Sequence, residues 1–352
     1  MKKALLLLAI FMGGMSVFAQ KIDRNELKQL QTFLSQPAEY ETTNAQALLI
    51  PDLNTPSTWP GITIENGHIT SIDWRDKHLA GQLNLSGFKA LTKVDVARNK
   101  LTSLSVANDG ALVELNASRN LLRSADLTGC SALVSLRIYK NRLTELDITN
   151  VPLIQYVNIS SNLLVDLNVS NSATLKTLNC QCNHLERLQV ANCTNLRSLY
   201  CGYNQLTGLV LSGLINLENL NIDDNKIQKL VVSGLPSLSF FLCTDNNMHQ
   251  LAIDNCQRLL DLVCSYNNLT ELTVNQCPNL QFVDCSYNDL TNLTLSNQSF
   301  LRRLLCNNNQ LNMLDVSFDQ SLTYINCRYN LITDLRTEGD NNLEMIASEG
   351  NF

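Results

Sequence analysis

Aromatic side chains are scarce in this 352-residue chain, at 6%, and only two of them are tryptophan. A core built on ring packing is therefore excluded. The 45% apolar content must come from aliphatic residues, which suits a repetitive interior. Histidine is rarer still: His68, His78, His184 and His249 are scattered, and none recurs beside an acid and a nucleophile. G-x-S-x-G, phosphate-loop, H-E-x-x-H and dinucleotide fingerprints are missing, so the chain reads as a non-enzyme with no cofactor and no metal. Charged residues are also few, at 16%, with a formal net charge of -6. An excess of that sign argues against nucleic acid or an anionic membrane surface as partner.

Long hydrophobic runs are lacking except at the start. Lys2 and Lys3 precede an apolar run from Ala4 to Phe18, which ends in VFAQ with small Ala19 at the expected cleavage point. Residues 1–19 therefore read as a bacterial-type signal peptide, and the mature chain as exported to the periplasm, the cell surface or the medium. Its loss takes the net charge from -6 to -8, because the two lysines leave with it. No second run approaches the roughly 20 apolar residues of a membrane span, so membrane insertion is not expected.

What the chain has in abundance is asparagine at a fixed interval. Asn99, Asn120, Asn141, Asn162, Asn183, Asn204, Asn225, Asn246, Asn267, Asn288, Asn309, Asn330 and Asn351 keep one constant 21-residue period, with no insertion or deletion. Around each one the unit reads L-x-x-L-x-C-x-x-N-x-L-T-x-L-x-V-S, as in LLDLVCSYNNLTELTVN at 259–275. Alternation around L-x-C and again around L-x-V predicts two short strands per unit, and so short a unit leaves no room for a helix as well. Each unit is then one coil of a solenoid, with about thirteen coils over 91–352. The asparagine side chain carries two donors and an acceptor. Inside a tight turn it can satisfy backbone groups of its own coil and of its neighbour.

This pattern resembles leucine-rich repeats, and in particular the 21-residue bacterial variant called IRREKO. Its nested consensus is met by residues such as Leu136, Ile138, Asn141, Leu143, Leu146, Asp147 and Ile148. The resemblance implies a leucine-rich repeat solenoid, mostly β. It also implies a life among exported bacterial proteins, in attachment or host contact. Residues 20–90 depart from the repeat and read as an N-terminal cap. A helix in 23–36 begins at D-x-x-E and carries Leu27, Leu30 and Leu34 on one face. Trp59, Ile62, Ile64, Ile69, Ile72 and Trp74 are expected to cover the first coil.

Seven cysteines stand three residues before an asparagine, from Cys180 to Cys327, in a column that elsewhere holds Val96, Ala117, Ile138, Ile159 and Ile222. They are expected inward and reduced, because side chains stacked in register do not bring β-carbons to disulfide spacing. Cys130, Cys193, Cys256 and Cys277 share one position of the polar return, where only Cys256 and Cys277 occupy neighbouring coils. Cys180, Cys182 and His184 imitate metal-ligand spacing, but Cys180 belongs to the core column and Asn183 to the turn, and no fourth ligand is suggested nearby.

The register assigns outward positions as well. Early coils offer a basic stripe, Lys93, Arg98, Arg119, Arg137 and Lys140, and later ones Phe240, Leu242, Val263, Phe282, Leu305 and Tyr324. Tyr203, Tyr266, Tyr287 and Tyr329 flank them, each just before an asparagine. Large apolar side chains confined to a few coils of one face predict a protein partner, such as a host protein, gripped by a concave strand face. The alternative is a glycan, with the tyrosines as stacking platforms and Asn158, Asn179, Asn221, Asp284 and Asn326 as hydrogen-bonding partners.

Overall fold

A computed structural model describes residues 22–295, 299–317, 320–338 and 342–351. The leader at 1–19 lies outside them. One 15-stranded sheet runs along the described chain. It opens with an antiparallel hairpin of β1 (Ile62–Glu65) and β2 (His68–Asp73), and from β2 onward every neighbour is parallel. A typical strand, Thr177–Asn179, pairs in register with Ser198–Tyr200, residue 177 opposite 198. One coil therefore matches one asparagine period, as the sequence predicts.

Three-residue strands leave one inward position each. Leu178, Leu199, Leu220 and Phe241 fill it in successive coils and are buried. The cysteine column follows two residues later and is also buried. All twelve cysteines are free, and Cys182 alone is exposed. Burial pushes the Cys180 thiol up to about 12 and holds those of Cys201, Cys243, Cys264 and Cys306 well above the ordinary thiol range.

Each recurring asparagine clamps two coils. Asn204 donates through Nδ2 to the carbonyls of Cys201 (3.0 Å) in its own coil and Cys180 (3.1 Å) in the preceding one, while its Oδ1 accepts from the Leu185 N–H at 3.0 Å. The same three contacts recur down to Asn330. Buried backbone groups at a turn must find partners, and this side chain supplies three.

Two expectations need correction. A second strand was expected in every coil, but it forms four separate small sheets: 80–126, 166–189, 229–275 and 313–336. Between them, around Leu146 and Leu209, the inward leucine still packs against the core without a backbone ladder, and beside Leu293 pairing shrinks to a single bridge between Thr273 and Thr294. That side of the coil is held by leucine burial rather than by pairing. The return segment is not wholly polar either. Cys130, Cys193, Cys256 and Cys277 are buried in one column with Phe88, Val151, Leu214 and Leu235.

The cap is built on α1 (Arg24–Leu34), whose N-cap Asp23 accepts from the Asn25 and Glu26 amides. Glu26 was expected to close the helix start; instead it is buried. It accepts the Ile69 N–H at 2.9 Å and contacts His68 Nδ1 at 2.9 Å, tying α1 to β2. Leu30, Phe33 and Leu34 cover the first coil, with Phe33 stacked on Trp74 at 5.8 Å between centroids. Trp59, Ile69, Ile72 and Trp74 are buried as predicted, and Ile62 and Ile64 are half-buried.

Candidate interaction face

The outward residues of the long sheet are the first and third of each strand. Pairing in register stacks them into two columns that run along the solenoid. One contains Asn219, Phe240, Asp261, Phe282, Arg303 and Tyr324; the other, Asn221, Leu242, Val263, Asp284, Leu305 and Asn326. All six apolar residues singled out from sequence face outward. Phe240 is 42% exposed, and Leu242, Val263, Phe282, Leu305 and Tyr324 are half-buried by their neighbours. They lie on five consecutive strands, interleaved in the two columns with Asp261, Asp284 and Arg303. Asn158, Asn179, Asn221, Asp284 and Asn326 also lie on this face, half-buried, and Asn158 and Asp284 are occupied in capping the serines two residues on.

Arg303 was not anticipated. Its guanidinium lies 5.6 Å from the Phe282 ring centroid and 5.4 Å from that of Tyr324, a cation held between two aromatics of adjacent strands. The signal was present in the one-coil spacing of Phe282, Arg303 and Tyr324. The charge of Arg303 had set it apart from the apolar set.

A third column follows the strand, at the residue before each clamp asparagine. From Arg98 to Tyr329 every described residue there has a left-handed backbone, with φ between 50° and 58°. The repeated conformation carries its side chains out along one rim. Tyr203, Tyr266, Tyr287 and Tyr329 stand here, between 44% and 61% exposed, and Tyr266 stacks on Tyr287 at 4.4 Å and 8°. The basic stripe is redistributed. Arg98, Arg119 and Lys140 belong to the rim and not to the strands. Lys93 and Arg137 are on strands, and Lys93 is paired with Glu114 at 3.1 Å. The acids Asp224 and Asp245 share the rim, and Asp223 sits beside it, accepting from the Thr244 N–H and the Asn221 amide. Burial, together with the charge of Asp224, raises the carboxyl of Asp245 above its ordinary value.

A groove of about 1000 Å³ lies elsewhere, over the second strands of the early coils. Its walls are hydroxyls, amides and acids such as Ser103, Asp126, Glu145 and Asp166, and sequence reasoning singled out none of them. Asp166 is bound to Arg187 at 2.6 Å, and Asp147 caps Thr149. No cluster of three metal-ligating side chains exists among the described residues, and Cys182 and His184 do not assemble one. No described helix is long and apolar enough to cross a membrane.

No protein-family model matches the chain, and no curated protein matches it. Solved structures do. An internalin, InlF of Listeria monocytogenes, matches over 91% of this chain and 94% of its own, with 17% identity and a TM-score of 0.53. The leucine-rich effector YopM of Yersinia pestis covers 74% of this chain and 78% of its own, with 20% identity and a TM-score of 0.50. The Arabidopsis receptor kinase HAESA, solved with the peptide hormone IDA and the co-receptor SERK1, reaches a TM-score of 0.56 at 21% identity. That match covers 72% of this chain and 48% of the other. At such identities the likeness is one of fold, and the fold is that of leucine-rich repeat proteins.

Proposed function

We propose that this chain is a non-catalytic, exported recognition scaffold that binds a segment of another protein across the outward face of its long sheet. One observation carries the reading: the patch formed by Phe240, Leu242, Val263, Phe282, Leu305 and Tyr324 on five consecutive strands. Folding gives no reason to leave these side chains half-covered, since each strand already buries its own leucine, isoleucine, valine or phenylalanine beneath them. A rigid sheet that presents aromatics beside an arginine has the composition of a binding hot spot. HAESA, with the same fold, was solved holding a peptide hormone, which supports a peptide-like occupant. The leader at 1–19 supports export, and with it a partner outside the cytoplasm, such as a host protein.

A glycan is the weaker occupant. Both tryptophans are buried in the cap, and the facing sides of the Tyr266 and Tyr287 rings are spent on each other. The test is to pan a random peptide display library on the wild-type protein and re-measure the enriched binders on a Phe240→Ala, Phe282→Ala double variant. Affinity should fall at least tenfold. Binders that tolerate the double variant, or enrichment only on a glycan array, would discard this face as the protein-binding site.

A further inference from the structure

The rim carries a second layer of information about the occupant. Elsewhere on the solenoid, opposite charges on neighbouring coils are paired with each other. Lys93 meets Glu114, Arg187 meets Asp166, Arg197 meets Glu218 and Arg328 meets Glu349, every pair one coil apart. The rim does the reverse. Arg98, Arg119 and Lys140 follow one another on three consecutive coils, and Asp224 and Asp245 on two more. None of the five enters an ion pair among the described residues. Like charges on adjacent strands destabilise a sheet, so folding alone does not favour the arrangement.

Between the two groups stand Ser161, Cys182 and Tyr203, which are uncharged or weakly polar. From Arg98 onward sign therefore changes once along the rim, Asp76 standing one coil before Arg98 with the same left-handed backbone. Four coil steps separate Lys140 from Asp224, or about 19 Å at roughly 4.8 Å per strand. An extended peptide covers that span in about six residues. Beyond Asp245 the rim continues as the stacked pair Tyr266 and Tyr287, whose exposed faces suit a basic side chain.

We infer that the rim reads the charge polarity of its partner: an extended segment with acidic residues over Arg98, Arg119 and Lys140, and basic residues over Asp224, Asp245 and the tyrosine pair, about six residues further along. This rests on the proposed protein-binding role and adds the class of ligand and its direction along the solenoid. Electrostatic complementarity of this kind governs specificity and approach.

Cys182 lies midway on the rim and is the exposed thiol, so a fluorophore attached there reports occupancy without a further mutation. Three synthetic peptides serve as probes at low salt: three glutamates and three lysines joined by a six-residue Gly-Ser spacer, the all-glutamate version and the all-lysine version. The mixed peptide should bind wild type at least tenfold more tightly than either single-sign peptide, and its affinity should weaken as salt rises. An Asp224→Lys, Asp245→Lys variant should instead prefer the all-glutamate peptide. Equal binding of the three, absence of binding by all, an unchanged ranking in the variant, or equally tight binding of a heparin fragment to wild type would each overturn the inference. Display-selected binders that need Phe240 and Phe282 but ignore the rim variant would remove the charge reading while leaving the proposed function in place.

Discussion

The Oδ1 of Asn267 accepts the backbone N–H of Met248, 3.1 Å away in the preceding coil. The Nδ2 of the same side chain donates to the carbonyls of Cys243 at 3.0 Å and Cys264 at 3.2 Å. One buried amide thus satisfies three backbone groups of two coils. Replacing it with alanine strands the Met248 N–H, while the carbonyls of Cys243 and Cys264 keep Asn246 and Asn288 as donors; Asn267→Ala should therefore cost about 1–3 kcal/mol in urea unfolding. Asn268→Ala, at the exposed neighbour, should change stability by no more than about 0.5 kcal/mol. Because each coil contacts only its neighbours, hydrogen exchange in Asn267→Ala should quicken first at Met248. Equal effects at the two positions would refute the clamp.

The cysteine columns make a second expectation. Eleven buried thiols, held above their ordinary titration range where burial dominates, should be inert, while Cys182 reacts. A thiol reagent added to the native protein should label one group quickly. After unfolding without reductant it should label all twelve in the chain. Fewer than twelve would reveal a disulfide, and Cys256 with Cys277, neighbours in the buried return column, would be the pair to map.

The face was legible in the sequence because two periods coincide. The asparagine interval sets the coil, and the alternation around Leu262 and Cys264 sets which residues look inward. The rim conformation was not legible. Its residues are Arg, Lys, Ser, Cys, Tyr, Asp and Asn, of which few favour a positive φ, so no residue type announces it. The second buried column escaped for a related reason. Four cysteines among Asn, Thr and Ser look polar, and Val151, Leu214 and Leu235 in the same position were the clue to their burial.

That buried column also contains Asp109, where most of the other described coils place Phe, Cys, Val or Leu. Its Oδ1 accepts the Phe88 N–H at 2.8 Å, and its Oδ2 is buried with no partner among the described residues. Burial raises its pKa to about 7, the nearby Glu26 charge acting in the same direction; the Cys130 thiol lies alongside. A carboxyl that is more basic folded than unfolded binds extra protons in the native state. It contributes most below about pH 4 and loses that contribution as pH climbs to about 7. The slope is about 1.4 kcal/mol per unit of pH at most. Asp109→Asn keeps the acceptor for Phe88 and removes the titration, so its urea midpoint should vary less between pH 5 and 7.5 than that of wild type. Parallel pH profiles for the two proteins would show that Asp109 is already ionised in the fold.

Phe240 and Phe241 are adjacent in sequence and opposite in orientation: the first is 42% exposed on the outward face, and the second is fully buried in the leucine column. Truncating a buried phenylalanine costs about 3–5 kcal/mol, through lost transfer energy and the cavity left behind. Phe241→Ala should lower unfolding stability by that amount. Phe240→Ala should leave stability within about 1 kcal/mol and instead weaken selected binders. The pair separates folding from recognition within a single strand, because a one-residue slip in register would exchange the two roles. Calorimetry and binding measured on both variants would settle it. If Phe240→Ala proved the more destabilising, the outward columns would have to be reassigned, and with them every residue of the candidate face.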